Sequence, residues 1–131
     1  MRALLDVNVL IALLDVEHVS HNTAMQWYAK HAPQGWASCP LTQNGCVRIM
    51  SGRGYPRSLP INVVSQRLAE ACATEFHQFW PADISWIDSA CFDTTFAHGP
   101  AQLTDLYLLG LAVRNGGRFV TFDQRISITA V

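Results

Sequence analysis

The chain has 131 residues, of which half are apolar and 15% are charged, and its formal net charge is −1. This composition is typical of one folded domain with a single core, and it excludes a disordered chain. No apolar run of about 18 residues occurs, so a membrane-spanning helix is not expected. The near-neutral charge does not by itself indicate nucleic-acid binding.

The first residues and the cysteines bear on the compartment. Asp6 interrupts the first apolar stretch early, so we expect no signal peptide. The four cysteines, Cys39, Cys46, Cys72 and Cys91, match no zinc-binding spacing. We interpret them as reduced and largely buried thiols, and we expect a cytoplasmic protein.

The first elements are a strand and an ambiguous apolar run. Residues 2–5 form a short apolar stretch that ends at Asp6 and predicts a buried strand. The run 9–14 could be a buried helix or more strand, and Asn8 favours a turn with a helix start.

Two helices and a strand are predicted in the next part of the chain. Ser20 or Asn22 can cap a helix. Residues 36–39 predict a second strand, residues 41–50 a helix, and the glycines and proline of residues 51–57 a loop.

The stretch after this loop has a less regular pattern. Pro60 suits the first turn of a helix whose apolar stripe runs over residues 63–72. Residues 76–80 predict a third strand, residues 85–90 a short helix, and residues 93–100 a polar loop.

The last elements complete an alternating pattern. Thr104 is the expected N-cap of a buried helix over residues 106–113. A strand over residues 118–122 ends at Asp123, and residues 126–131 could add an edge strand. Strands that alternate with helices indicate an α/β fold with a parallel sheet.

Three aspartates are predicted at one edge of that sheet. Asp6 and Asp123 each follow a strand, and Asp105 opens the buried helix. Each acid alone fits a turn or a helix start. Together, however, three carboxylates repel one another, and Lys30 is the only lysine available to compensate. A divalent cation is the simplest compensation, and oxygen ligands favour Mg²⁺ or Mn²⁺.

Such an ion would lower the pKa of a bound water and stabilise the charge that develops on a phosphate. Phosphodiester hydrolysis is therefore the reaction class that the acids indicate. The sequence contains no Ser-His-Asp or Cys-His arrangement that competes with it, and neither a P-loop nor a dinucleotide-binding glycine motif.

Four segments resemble the motifs of PIN domains, in the same order. Residues 4–13 resemble the opening motif, and residues 103–109 and 120–123 resemble the later helix and strand that carry acids. Residues 40–49 resemble the central helix of one subgroup, the VapC toxins of toxin–antitoxin pairs. Further matches to that subgroup are His18, His21, Ala24, Trp27, His98 and Gly99.

The resemblance implies a single PIN domain over residues 1–131. Its fold would be three-layered, α/β/α, around a central parallel sheet of about four to five strands. The family implies an endoribonuclease that uses Mg²⁺ or Mn²⁺ as cofactor and RNA as substrate. It also implies neutralisation by a small cognate antitoxin and a homodimer.

The resemblance also assigns roles to single residues. Asp6, Asp105 and Asp123 would be catalytic residues that ligate the metal. Asn8 and Thr121 would orient these ligands through hydrogen bonds.

One position departs from the family pattern. Gln43 aligns with a glutamate of the central helix, and a slip of one residue would place Asn44 there instead. An amide oxygen can accept a hydrogen bond from a metal-bound water, so Gln43 stays a candidate catalytic residue and Asn44 a candidate orienting one. Because neither carries charge, we expect weaker metal binding than in a four-acid site, and Gln43→Glu should tighten Mn²⁺ binding.

Basic and imidazole side chains have two interpretations. Arg48, Arg53 and Arg57 could contact RNA phosphates or an antitoxin carboxylate, or they could be scattered charges on a solvated loop. His18 and His21 could ligate a metal, but helix-cap or surface roles are favoured because hard metals prefer oxygen.

Two other function classes remain open. One is a PIN-like module that binds RNA or an antitoxin with weak or no cleavage, which the neutral Gln43 motivates. The other is a different Mg²⁺-dependent phosphate hydrolase or a receiver domain. These classes need a second aspartate at position 8 or a late lysine, and the sequence has Asn8 and no lysine after Lys30.

Overall fold

The computed structural model describes residues 1–96 and 99–123. The strands within these ranges are β1 (Ala3–Leu5), β2 (Trp36–Ser38), β3 (His77–Phe79) and β4 (Arg118–Val120). The helices are α1 (Val7–Leu14), α2 (His21–His31), α3 (Pro40–Met50), α4 (Ile61–Cys72) and α5 (Leu103–Arg114). The four described strands form one parallel sheet in the order β3-β2-β1-β4.

Helices cover both faces of this sheet, since β1 is buried on both sides. Its alternating side chains belong to two separate cores. A first core joins β1 to α1, β2, α3 and α4, and includes Ala3, Leu5, Leu10, Trp36, Met50 and Val64. A second core joins β1 to α5 and the segment after β3, and includes Leu4, Ala37, Trp80, Leu108 and Leu111. The predicted three-layer α/β/α fold is confirmed.

The ambiguous run after Asp6 is a helix. Asp6 occupies the N-cap of α1, where its side chain accepts a hydrogen bond from the Val7 N–H. The cap satisfies one of the amide donors that a helix start leaves free. The helix therefore begins one residue after the acid, and Asn8 lies inside its first turn.

Two local predictions are wrong. Residues 85–90 form turns, not a helix, and the Ser and Asp side chains there stabilise these turns through local hydrogen bonds to backbone N–H groups two residues later. Ser85 Oγ accepts from the Ile87 N–H at 3.3 Å, and Asp88 Oδ1 accepts from the Ala90 N–H at 2.9 Å.

Thr104 is not an N-cap either. A short 3-10 turn, Pro100–Gln102, leads directly into α5, so that Gln102 takes the cap position and Thr104 lies within the helix. Strand β4 is also shorter than predicted and ends at Val120. His98 and the proposed strand at residues 126–131 lie outside the described residues.

The order of the strands defines where a ligand site can form. β1 pairs with β2 on one side and with β4 on the other, so the chain changes direction across the sheet at β1. In open parallel sheets, a crevice forms at such a point beyond the carboxyl ends of the strands. Asp6 follows β1 at this edge, and its N–H donates to Val120 O of β4 at 2.9 Å.

Candidate metal centre

A pocket of about 330 Å³ lies beside the ends of β1 and β4. Its acidic and amide lining residues are Asp6, Asn8, Asp105 and Asp123, and the other lining residues are Val7, Ile11, His18, Ile49 and Tyr55. The structure thus brings the three predicted aspartates to one pocket, although they lie up to 117 positions apart in the chain.

Asp6 is the most enclosed of the three acids, with 6% of its surface exposed. Its Oδ1 accepts from the Val7 N–H at 2.7 Å, and its Oδ2 accepts from the Thr121 hydroxyl at 2.6 Å. Burial raises the pKa of Asp6, and the charge of Asp123 adds to this, while the two hydrogen bonds oppose it. The ionised carboxylate is therefore held in a fixed orientation in a place that disfavours its charge.

Thr121 connects the two acids that follow strands. Its hydroxyl must donate to Asp6, because an ionised carboxylate only accepts. Its oxygen in turn accepts from the Asp123 N–H at 3.0 Å and from Asn8 Nδ2 at 3.4 Å. Asn8 Oδ1 accepts from the Phe122 N–H at 3.4 Å. These bonds tie the segment after β4 to the first turn of α1.

Asp105 reaches the pocket from the other side of the sheet's edge, in the first turn of α5. A carboxylate in this position is stabilised by the amide dipoles of the helix start. Because α5 packs in the second core through Leu108 and Leu111, its first turn is fixed relative to β1.

The donor chemistry of the pocket fits a hard divalent cation, since carboxylates are the ligands that Mg²⁺ and Mn²⁺ prefer. The charge of Asp123 beside the buried Asp6 is also the kind of repulsion that a cation relieves. As the side chains stand, no three Asp, Glu, His or Cys residues within the described ranges lie close enough to hold one ion. Metal binding would therefore require the carboxylates to move closer together.

Relatives aligned over the whole chain identify the family. Ribonuclease VapC44 of Mycobacterium tuberculosis is 51% identical over 131 residues, which cover 100% of this chain and 92% of the relative. The chain belongs to the VapC ribonuclease family. VapC39 of the same organism is 40% identical over 132 residues, which cover 99% of this chain and 94% of the relative. VapC38 is 41% identical over 125 residues, which cover 95% of this chain and 86% of the relative. No protein-family model matches the chain. The VapC membership that the motifs predicted is confirmed.

The structure does not place Gln43 or Asn44 in the acidic pocket. Both line a separate groove of about 560 Å³ between α3 and α4, and Gln43 Nε2 donates to Ser38 Oγ at 2.9 Å. From α3, the acidic pocket receives Ile49. Gln43 and Ile49 are six residues apart, so their side chains point in directions about 120° apart around the helix and face different sites.

The residue on the same face as Ile49, one turn earlier, is Gly45. A Cβ on Gly45 would lie 2.8 Å from Val7 Cγ2, so α3 and α1 approach closely beside Asp6. On this face of α3, Gly45 therefore contributes no side chain, and Ile49 is the α3 residue that lines the acidic pocket. A glycine inside a predicted helix was the sequence signal for this close approach.

The placement of Gln43 changes the expected result of the Gln43→Glu substitution, for which the sequence predicted tighter Mn²⁺ binding. We now expect it to leave Mn²⁺ affinity unchanged and to lower the melting temperature, because the new carboxylate cannot donate to Ser38 Oγ. Titration calorimetry with Mn²⁺ and thermal unfolding of both proteins test this. A clear gain in Mn²⁺ affinity would contradict the placement of Gln43 away from the metal.

Arg48, Arg53 and Arg57 are not among the residues that line the acidic pocket. Arg48 and Arg53 are exposed and remain proposed contacts for RNA or an antitoxin. Arg57 forms ion pairs with Asp15 at 2.9 Å and with Glu17 at 3.1 Å, so its guanidinium is paired with carboxylates of the chain itself.

Two pocket residues were missed by the sequence analysis. His18 was interpreted as a surface or capping residue, and Tyr55 was only assigned to a loop. The spacing of residues in loops gives no periodic signal, so neither position could be related to the acids before the loops were placed.

Proposed function

We propose that this VapC family member is an endoribonuclease toxin whose activity depends on Mg²⁺ or Mn²⁺. The observation that carries the proposal is the pocket shared by Asp6, Asp105 and Asp123 at the ends of β1 and β4. Membership of a family whose relatives are named ribonucleases supports RNA as the substrate.

In this proposal, Asp6, Asp105 and Asp123 would hold the metal. When bound there, a divalent ion would supply Lewis-acid chemistry, which lowers the pKa of a water and offsets charge on the phosphate. The chain's own contribution is to orient the ligands. Thr121 fixes one oxygen of Asp6 and the backbone of Asp123, and the Val7 N–H fixes the other oxygen of Asp6. Such outer hydrogen bonds set the direction of a ligand's lone pairs before the metal arrives.

The proposed partners are a small cognate antitoxin and a second copy of the chain in a homodimer, and the proposed location is the cytoplasm. These follow from the family. No helix in residues 1–96 and 99–123 is long and apolar enough to cross a membrane.

A second candidate is a module that binds RNA or an antitoxin with weak or no cleavage. It is favoured by the face of α3 next to the acids, where Gly45 and Ile49 offer no oxygen ligand. A site with three carboxylates holds a cation less tightly than one with four.

Metal removal and an acid substitution separate the two candidates. The purified chain, freed of any antitoxin, is incubated with total RNA and Mg²⁺ or Mn²⁺, with and without EDTA. We expect cleavage that EDTA and Asp105→Asn each abolish, while Asp83→Asn retains it, since Asp83 is an exposed acid outside the pocket lining. Cleavage that survives both EDTA and Asp105→Asn would contradict the assigned site. RNA binding without cleavage under either metal would favour the binding module.

A further inference from the structure

The remaining wall of the acidic pocket contains two side chains with ligand-binding chemistry, His18 and Tyr55. His18 lies between α1 and α2, and Tyr55 lies between α3 and α4. Both are half-buried. Neither residue is a metal ligand in the proposed site, so metal binding by the aspartates does not account for the presence of His18 and Tyr55 in the pocket.

Asp15 holds both of these residues in place. It is buried at the end of α1, and its backbone oxygen accepts from the His18 N–H at 3.0 Å. Its Oδ2 accepts from the Tyr55 hydroxyl and from Arg57 Nη2. Burial opposes the ionisation of Asp15, but the hydrogen bonds from Tyr55 and Arg57 lower its pKa to about 2. Asp15 is therefore a permanently charged anchor for the two loops at neutral pH.

The anchor determines what Tyr55 can offer to a ligand. Its hydroxyl is engaged by Asp15, and burial together with this neighbour raises the pKa of Tyr55 to about 12. The phenol is thus neither a base nor a free donor at neutral pH. With its hydroxyl engaged, the aromatic ring is the part of Tyr55 that remains for a ligand in the pocket, and Tyr55 also packs against the first core.

A second hydrogen bond determines what His18 can offer. Its Nδ1 accepts from the Ser20 N–H at 3.0 Å, which requires Nδ1 to be unprotonated. In the tautomer that accepts this hydrogen bond, the ring proton lies on Nε2, which is the nitrogen left for a ligand in the pocket. His18 can accordingly act as a hydrogen-bond donor through Nε2, which suits a phosphate or ribose oxygen.

From these contacts we infer that Tyr55 and His18 form a nucleotide-binding subsite beside the metal-binding acids. The ring of Tyr55 stacks on the base next to the scissile phosphate, and His18 Nε2 donates to the sugar–phosphate backbone of that nucleotide. The inference rests on the proposed function. Since a base must leave its helix to stack on a protein ring, the preferred substrate is RNA with an unpaired nucleotide at the cleavage site.

Binding assays on paired variants test the subsite. Every variant carries Asp105→Asn to prevent cleavage, and the probes are a fluorescent single-stranded RNA of mixed sequence and the same RNA in a full duplex. We expect Tyr55→Leu to weaken binding of the single strand by about 10-fold, the loss typical of one stacked base. Tyr55→Phe keeps the ring and should lose much less. His18→Ala should weaken binding, and His18→Gln should recover part of it, because its amide can replace the Nε2 donor.

Two controls exclude a loss of structure. Gly54→Ala lies beside Tyr55 in the same loop, and its added Cβ would meet nothing within 4 Å, so binding should match the parent. Mn²⁺ affinity, measured by calorimetry with Asp105 intact, should be unchanged in His18→Ala and Tyr55→Leu. If Tyr55→Leu proves unstable, the His18 pair still tests the subsite.

The subsite is overturned if both Tyr55→Leu and His18→Ala bind the single strand as tightly as the parent, or if the parent binds the duplex better than the single strand. Failure of the proposed function has a different signature. In that case the wild-type chain shows no metal-dependent cleavage, while the binding losses at Tyr55 and His18 persist.

Discussion

Asp6→Asn is expected to reduce RNA cleavage by more than roughly 100-fold, because loss of an outer hydrogen-bonding partner of a metal ligand alone costs about 10- to 100-fold. The same substitution should raise the melting temperature of the metal-free protein. Burial and the charge of Asp123 raise the pKa of Asp6, so its ionised form opposes folding at neutral pH. An uncharged amide removes this penalty and can still accept from the Val7 N–H.

Cleavage assays with Mn²⁺ and thermal unfolding in EDTA measure the two effects on one pair of proteins. Added Mn²⁺ should stabilise the wild type and leave the variant unchanged, because a ligand stabilises only a fold that binds it. Asp83→Asn serves as the control for loss of an exposed carboxylate. A variant that is less stable than the wild type in EDTA, yet still cleaves RNA, would show that Asp6 is a structural residue.

The acids could be predicted because their positions follow from rules of local structure. Strands in a parallel sheet end at one edge, so the acids after β1 and β4 had to meet there once the alternation of strands and helices was recognised. Asp105 required the further knowledge that α5 begins at the same edge. The buried character of its helix and the resemblance to PIN motifs supplied that knowledge.

The sequence did not predict in the same way which side chains of α3 point toward the acids. Alignment with a family motif fixes which helix approaches the acids, but a shift of two residues moves a side chain about 200° around it. Gln43 therefore aligned with the expected glutamate and still lies in another groove, whereas Gly45 faces α1. Tyr55 was missed for a related reason, since its position depends on a hydrogen bond to Asp15, 40 residues earlier in the chain. His18 lies in the loop after α1, where its N–H donates to Asp15 O and no periodic pattern relates it to the acids.

Local hydrogen bonds from polar side chains stabilise turns at residues 85–90, where the sequence predicted a helix. Residues 85–90 contain enough apolar residues for a helix, but Ser85 and Asp88 bind nearby amides and stabilise turns instead. These turns end beside Phe92, which packs in the second core. The segment therefore contributes to the core without regular structure, a case that periodicity cannot identify.

Gly117 provides the largest expected effect on stability, because it lies where β4 meets β1. A Cβ at this position would lie 2.5 Å from the backbone oxygen of Arg2 and 2.6 Å from the ring of Trp80. The Arg2 oxygen already accepts from the Arg118 N–H at 2.9 Å, so it cannot move without loss of that sheet hydrogen bond. We expect Gly117→Ala to destabilise the fold by about 3 kcal/mol, the upper range for overpacking.

Gly117→Ala should also affect the proposed metal site, since β4 leads directly to Thr121 and Asp123. A displaced β4 would carry the Thr121 hydroxyl away from Asp6, so Gly117→Ala is also expected to weaken Mn²⁺ binding by the folded protein. Urea unfolding and calorimetry measure the two effects, with Gly54→Ala as the matched control at an open position. If Gly117→Ala unfolds like the wild type, β1 and β4 do not approach as closely as the sheet pairing requires. If it loses stability but keeps full Mn²⁺ affinity, the acids are positioned by α1 and α5 rather than by the strand that precedes Asp123.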